Sequence, residues 1–179
     1  IGRVVSVVSQ DAATALNARM TVHDQLMDPM LVHKVGDKAS REKRVHDLIE
    51  MVGLPESVLD ALPGQMSGGQ RQRVAIARAL SLEPDAIIAD EPTSALDVSV
   101  RAQILNLLMD LKRNLGLSMV FISHDIQTVR YISDEIIVMN AGEAVERGTA
   151  KEVFEHPKDD YTRLLLGAAP SLLHPELGK

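Results

Sequence analysis

The 179-residue sequence contains no cysteine. That excludes a disulfide framework and a thiolate metal site, and it fits a reducing compartment. Tryptophan is absent as well, and aromatic residues make up only 2% of the chain. Any core must therefore come from Leu, Ile, Val, Ala and Met. No apolar run approaches the roughly 18 residues that would mark a membrane span. There is no excess of basic residues, since the net charge is -6. This argues against a nucleic-acid binder, which would normally show a basic face, although a local basic patch stays open. The start, "IGRVVSVVSQD", has no charged leader followed by an apolar segment and a cleavage site. It opens on Ile inside an apparent strand, as expected of a processed start or of a piece of a longer chain. No internal repeat or low-complexity tract is present.

What is present is ordinary globular composition, with 45% apolar residues. The length suits one domain with a real core. "RVVSVVSQD" is β-branched and almost continuously apolar, which predicts a strand buried on both faces. Residues 12 to about 38 are irregular and Met-rich. Val45, Leu48, Ile49 and Val52 fall at helical spacing, and Gly53 stops that run. "LPESVLDALPGQ" is broken by two prolines. After Met66 a helix is expected, with Val74, Ala77 and Leu80 on one face. "EPDAIIAD" predicts a second buried strand. Val100, Ile104, Leu107, Leu108, Leu111 and Leu115 mark an amphipathic helix that Gly116 ends. "LSMVFIS" predicts a third strand, followed by a helix to about Ile132. "EIIVMNAGEAVERG" reads as a hairpin around Asn140 to Gly142. A short helix is expected over Thr149 to Phe154, and the proline-containing tail from His156 reads as a surface extension.

Strands alternating with helices predict an α/β fold, a parallel sheet with helices on both faces. Ligands of such sheets sit at the carboxyl ends of the strands. Gln10, Asp90 and His124 all stand at such ends. In "AIIADEP", a strand delivers Asp90 and Glu91 to the rim. Asp90 suits Mg²⁺, directly or through water, and Glu91 could polarise a water for attack on a phosphate. The plainer reading is a strand running into a solvated acidic turn. In "MSGGQ", Ser67, Gly68 and Gly69 precede a helix. Glycines permit close backbone approach, while the hydroxyl and the first-turn N–H groups donate to an anion. Alone, the motif is equally a Ser N-cap with a tight turn. His124 in "FISHD" is structural or, at the rim, a donor to a terminal phosphate oxygen. Gln10 is a strand-end cap or a contact to Mg²⁺ or the attacking water.

Taken in order, Gln10, "MSGGQ", "IIADEPTSALD" and "ISHD" resemble the ordered motifs of the ABC ATPases. The resemblance runs from the glutamine loop to the C-terminus, nearly the whole chain. It implies a P-loop NTPase-like ABC ATPase core, with an incomplete parallel sheet and flanking helices, plus an α-helical subdomain. Residues 12–63 would be the helical subdomain, 64–155 the signature, Walker B and His-switch core, and 156–179 a C-terminal extension. Gln10 would be the glutamine-loop residue, and Met66 to Gln70 the signature motif, with Met66 where Leu is usual. Asp90 would be the Walker B acid and Glu91 the general base. Ser94 to Asp97 would be the D-loop, and His124 the switch histidine. Gln10, Glu91 and His124 are the catalytic candidates. Ser67, Gly68, Gly69, Gln70 and Asp97 are the nucleotide-binding ones, and Asp90 and Gln10 would face the metal. Two such domains pair head to tail in this family, so Ser67 to Gly69 would serve ATP and Mg²⁺ held by a second ATPase subunit.

Within the family, "SQDAATALNARMTV", "ADEPTSALDVSVRAQIL" and "HPKDDYTRLLLGAAPSL" are similar to the oligopeptide and dipeptide importer ATPases. Ser9, Ala12 and Ala18 replace the usual Phe, Pro and Pro there, changes that would alter how the loop meets a membrane subunit. The resemblance implies transmembrane permease subunits as partners, an extracytoplasmic solute-binding protein indirectly, and no nucleic acid. The place implied is the cytoplasmic face of the inner membrane, peripherally bound. Met20, Met27 and Met30 would supply an adaptable apolar contact for a coupling helix or belong to the subdomain core.

The family's phosphate loop, G-x-x-x-x-G-K-[ST], does not occur in this sequence. The only Gly–Lys pair is Gly178–Lys179. The adenine-stacking aromatic upstream is missing too. Without that loop ATP loses most own-side contacts, and the neighbouring strand should leave an apolar gap. The preferred explanation is the C-terminal part of a longer ATPase, inactive alone. A natural half that supplies only the signature side, a decayed remnant, and a soluble non-transporter ABC ATPase are the alternatives.

Overall fold

The computed structural model describes residues 5–10 and 15–168. The expectations placed on Ala12, on residues 3–4 of the first strand and on residues 169–179 of the tail lie outside them. The chain divides into two compact units, Ile1–Ile122 and Ser123–Lys179.

In the first unit, β1 (Val5–Val8), β2 (Ala86–Asp90) and β3 (Ser118–Ile122) form a parallel sheet in the order β1-β2-β3. The register aligns Val8 with Ala89 and Ala89 with Phe121. Between β1 and β2 lie α1 (Val22–Val32), α2 (Lys38–Met51), two single 3-10 turns at Glu56–Val58 and Pro63–Gln65, and α3 (Gly68–Leu80). The link from β2 to β3 is α4 (Val98–Leu115), ended by Gly116 in the left-handed region at φ +64. α3 packs on β1, on α1 and α2, and on α4. It buries Val74, Ile76, Ala77 and Leu80 to 1% exposure or less. Val74, Ile76 and Leu80 each contribute about 1.5–3 kcal/mol by leaving water, and the single methyl of Ala77 about 0.8 kcal/mol.

Two expectations are corrected in this unit. The stretch read as irregular contains the α1 helix, with Val22, Leu26 and Met30 buried along one face. Pro29 removes one donor near the end of this helix, and the buried stripe outweighs that loss. Met27 and Met30 accordingly belong to the core. The strands are also not buried on both faces. Val8, Ile87 and Ala89 are buried, but Val7, Val120 and Ile122 on the opposite face are 56%, 56% and 47% exposed. That face of the sheet stands exposed in the described residues.

Polar contacts tie the helices between β1 and β2. Asp37 and Ser40 form a capping box that starts α2. His23 on α1 sets Nε2 2.9 Å from Glu42 of α2 and Nδ1 3.3 Å from Asp24. The hydrogen bond to Glu42 holds the imidazole above its ordinary pKa and Glu42 below its own, burial opposing both.

The second unit opens with α5 (Ile126–Ile132) and the antiparallel hairpin of β4 (Glu135–Asn140) and β5 (Glu143–Thr149). Ala141 and Gly142, both at positive φ, make its turn, as a two-residue hairpin loop demands. α6 (Ala150–Glu155) starts at a Thr149–Glu152 capping box. Ile136, Val138 and Val153 form the core. In the tail expected to be a surface extension, residues 160–168 form α7 (Asp160–Ala168), with Thr162 buried. The backbone N–H groups of Lys158 and Asp159 donate to the Glu146 carboxylate on β5, which anchors the start of that helix and holds the carboxyl below its usual range.

No helix among the described residues is long and apolar enough to cross a membrane.

Candidate functional site

Ser67 is the N-cap of α3. Its Oγ accepts from Gln70 N at 3.2 Å, while Gln70 Oε1 accepts from Ser67 N at 2.9 Å. Ser67 O accepts from Arg71 N, closing the first helical bond. The N–H groups of Gly68 and Gly69 are the remaining first-turn donors, and helix geometry gives them no acceptor within the helix. The serine hydroxyl accepts from Gln70 and still has its own proton to donate. The two readings of "MSGGQ" are thus one arrangement: a capped helix whose cap faces outward with donors and a positive dipole end. Ser67 is exposed and both glycines are half-buried. Arg71 fixes the approach to this cap, donating from Nη1 to the Met66 carbonyl at 2.6 Å. Met66 itself is buried.

Asp90 is the last residue of β2, exposed and aligned with Ile122 of β3. Glu91 N donates to Ile122 O at 2.9 Å, which ends the strand pairing. Glu91 then turns at φ +47, a region that residues with a side chain seldom occupy. Its carbonyl accepts from both Ser94 N and Ser94 Oγ, at 3.2 and 3.1 Å. A tight turn over buried Pro92 and Thr93 therefore carries the chain back toward α4. Asp97 is the N-cap of α4 but its side chain makes no capping bond, so its exposed carboxylate is not spent on its own helix.

Gln10 lies two residues beyond β1 and is exposed. Because the three strands run parallel, their carboxyl ends share one edge, and the register sets Gln10 one strand over from the Asp90–Glu91 step. Further on, two side chains hold the stretch from Ala15 to Met20. Gln25, 1% exposed, accepts from Asn17 N and donates to the carbonyls of Asn17 and Met20. Arg78 of α3 donates to Ala15 O at 2.8 Å.

His124 belongs to the second unit and is exposed, two residues past Ile122 in the chain. Asp125 fixes its surroundings by accepting from Gln127 N, Thr128 N and Thr128 Oγ1 while donating its own N–H to Ser123 Oγ. Among the described residues, no group of three or more His, Asp or Glu forms a ready metal cage. Asp90 offers a single exposed carboxylate, which fits a cation that brings its own phosphate and water ligands.

Arg71, Arg78 and Gln25 went unremarked in the sequence. The arginines of "GGQRQRVAIAR" and a glutamine inside an apolar stripe were the available signals. The positive φ of Glu91 had none.

Residues 1–94 match the family model described as ABC transporter. The chain is 47% identical over 168 residues to the dipeptide transport ATP-binding protein DppF of Haemophilus influenzae, aligning 94% of this chain with 51% of that protein. It is 51% identical over 164 residues to the oligopeptide transport ATP-binding protein OppF of Streptococcus mutans, covering 91% of this chain and 53% of the relative. The chain spans about half the length of the curated relatives it matches. Among solved structures, cbiO1 from Clostridium perfringens, part of the ABC transporter complex cbiONQ, superposes with a TM-score of 0.78 at 31% identity, over 86% of this chain and 60% of that one. A dimeric post-hydrolysis state of the ATP-binding cassette MJ0796, bound to ADP and Pi, superposes with a TM-score of 0.71 at 33% identity, over 83% and 64%.

Proposed function

Because the chain belongs to the ABC transporter family, we propose that it forms the signature and hydrolysis part of an ATPase subunit that powers import of peptides, or a similar small solute. The observation that carries this reading is the pairing, in one unit, of an outward-facing donor cap at Ser67–Gly69 with the Asp90–Glu91 step at the sheet's carboxyl edge. An anion seat and a cation-plus-base seat are the two halves that phosphoryl transfer to water requires. Peptide as the solute is supported by the relatives, which are dipeptide and oligopeptide transport ATP-binding proteins.

Asp90, with Gln10, would hold Mg²⁺ and its waters, and ATP would supply the phosphates. Glu91 takes the proton of the attacking water. His124 donates to the phosphate that leaves. Ser67, Gly68, Gly69, Gln70 and Asp97 meet ATP held by a second ATPase subunit; that a similar cassette is dimeric with ADP and Pi bound supports pairing of two subunits. Residues 12–63 form the helical subdomain that meets a transmembrane permease subunit, 64–155 the catalytic core, and 156–179 an extension. The subunit sits peripherally at the cytoplasmic face of the membrane, where a solute-binding protein acts on it only through the permease.

The test is Mg²⁺-dependent ATP hydrolysis by this chain and by the same chain extended upstream through a phosphate loop. Turnover is expected only in the extended chain, and Glu91→Gln should lower it by about 100-fold or more while ATP still binds. Wild-type turnover in the Glu91→Gln variant would sink the assignment of the base.

A further inference from the structure

The two glycines of the cap are not equivalent. A Cβ built on Gly68 would meet Leu96 Cδ2 at 3.5 Å, an ordinary contact. A Cβ on Gly69 would lie 2.6 Å from Val100 Cγ1, closer than real Cβ atoms come to any neighbour. Val100 is the third residue of α4. A β-branched side chain in a helix has essentially one rotamer, so Val100 cannot swing aside as a long flexible chain would. Leu96 and Val100 flank Asp97, on the turn that continues directly from Glu91.

We propose that Val100 is a positioning residue for the anion seat: it fixes where the Ser67–Gly69 cap stands relative to the turn bearing Glu91 and Asp97, and position 69 is glycine because Val100 fills the space a side chain would need. This rests on the reading that the cap meets a nucleotide phosphate. It differs from the usual reason for a glycine beside an anion, that the ligand itself must come close to the backbone. Under that reason the obstruction would be between protein and phosphate. Here it is between two helices of one subunit. The cap and the acid-bearing turn consequently move as one body.

The test is a double-variant cycle in the chain extended upstream through a phosphate loop, comparing Gly69→Ala, Val100→Ala and the pair together. The Gly69 side chain would stand about 0.8 Å inside the 3.4 Å at which ordinary contact begins. Misplacement on that scale costs up to about 100-fold in rate. Gly69→Ala should therefore lose ATP-driven pairing and about 30- to 100-fold in turnover, with ATP affinity for its own subunit kept within about threefold. Adding Val100→Ala should recover turnover to within about threefold of Val100→Ala alone. A pair as inactive as Gly69→Ala overturns the proposal and assigns the glycine to ligand approach. If Gly69→Ala instead melts too low to assay, the melting temperature serves as readout. Restoration by Val100→Ala upholds the packing argument, and no restoration overturns it. Failure of the underlying reading is separate: Ser67→Arg with undiminished ATP-driven pairing would remove the cap from the nucleotide, whatever the rescue shows.

Discussion

Glu91 stands at φ +47 immediately before a proline. A side chain in the left-handed region costs about 1–2 kcal/mol through the clash of Cβ with the carbonyl. Glycine escapes that clash but carries about 0.5–1 kcal/mol more backbone entropy to lose on folding than alanine. Comparing Glu91→Gly with Glu91→Ala removes the glutamate's own contacts from both sides of the balance. Taking midpoints, glycine should be more stable than alanine by about 0.75 kcal/mol, the reverse of their order in an ordinary helix or strand. In a chain of this length that is about 2 °C in melting temperature. Urea unfolding of the two variants gives the same difference as a shift in midpoint at constant slope. An alanine variant as stable as the glycine one, or more so, would refute the claim that strain is held at this position. The expected result would instead mean that stability is given up at the residue assigned as base, so that its carboxylate leaves the sheet edge at a set angle.

Ser67→Arg, in the chain extended through a phosphate loop, should abolish ATP-driven pairing while leaving its own ATP affinity intact; light scattering with and without ATP checks this, and unchanged pairing would sink the cross-subunit role. Gln25→Leu leaves the N–H of Asn17 and the carbonyls of Asn17 and Met20 without their buried partner. It should cost about 2 kcal/mol in urea unfolding, and an unshifted midpoint would show that the loop finds other partners. His23 has its pKa raised above 6.5 by Glu42, and Glu42 is lowered below 4.5 by His23. The histidine's contribution to stability is present below 6.5 and lost as pH rises through its raised folded value; the glutamate's is present above 4.5 and lost as pH falls through its lowered one. Stability from the pair is therefore largest between 4.5 and 6.5, and His23→Gln should lower the melting-temperature profile there and remove the pair's share of the fall above 6.5 and below 4.5. Identical profiles for the two proteins would rule the pair out as a contributor.

β2, α3, α4 and the β4–β5 hairpin were legible because each carries a strong period or a turn signal, "AIIAD", the Leu stripe, or Asn-Ala-Gly. α1 was hidden by Pro29 and by Gln25 standing where an apolar residue was expected. Its stability comes from contacts with α2 and α3 rather than from its own pattern. The bare face of β1 and β3 could not be read from "RVVSVV", because a run of apolar residues says that a strand prefers burial and not whether both covers are present. At the site, the order of polar residues after the strands located the sheet edge. The backbone geometry of Glu91 and the placement of Val100 where a side chain at position 69 would stand were not legible. The first runs against what a residue before proline prefers, and the second joins positions far apart in the sequence.

The parallel pairing of β1 with β2 also sets the order in which this unit can assemble. Val5 finds its partner only at Ala86, and every helix from α1 to α3 lies inside the loop that this pairing closes. Contacts among those helices are more local, so they can form on the time scale of helical hairpins, before the sheet exists. Among the described strands, valine-rich β1 has no partner until the chain has reached β2. Refolding should accordingly show helical signal first and sheet closure as the slow step, with slower closure for any change that loosens α3 from β1.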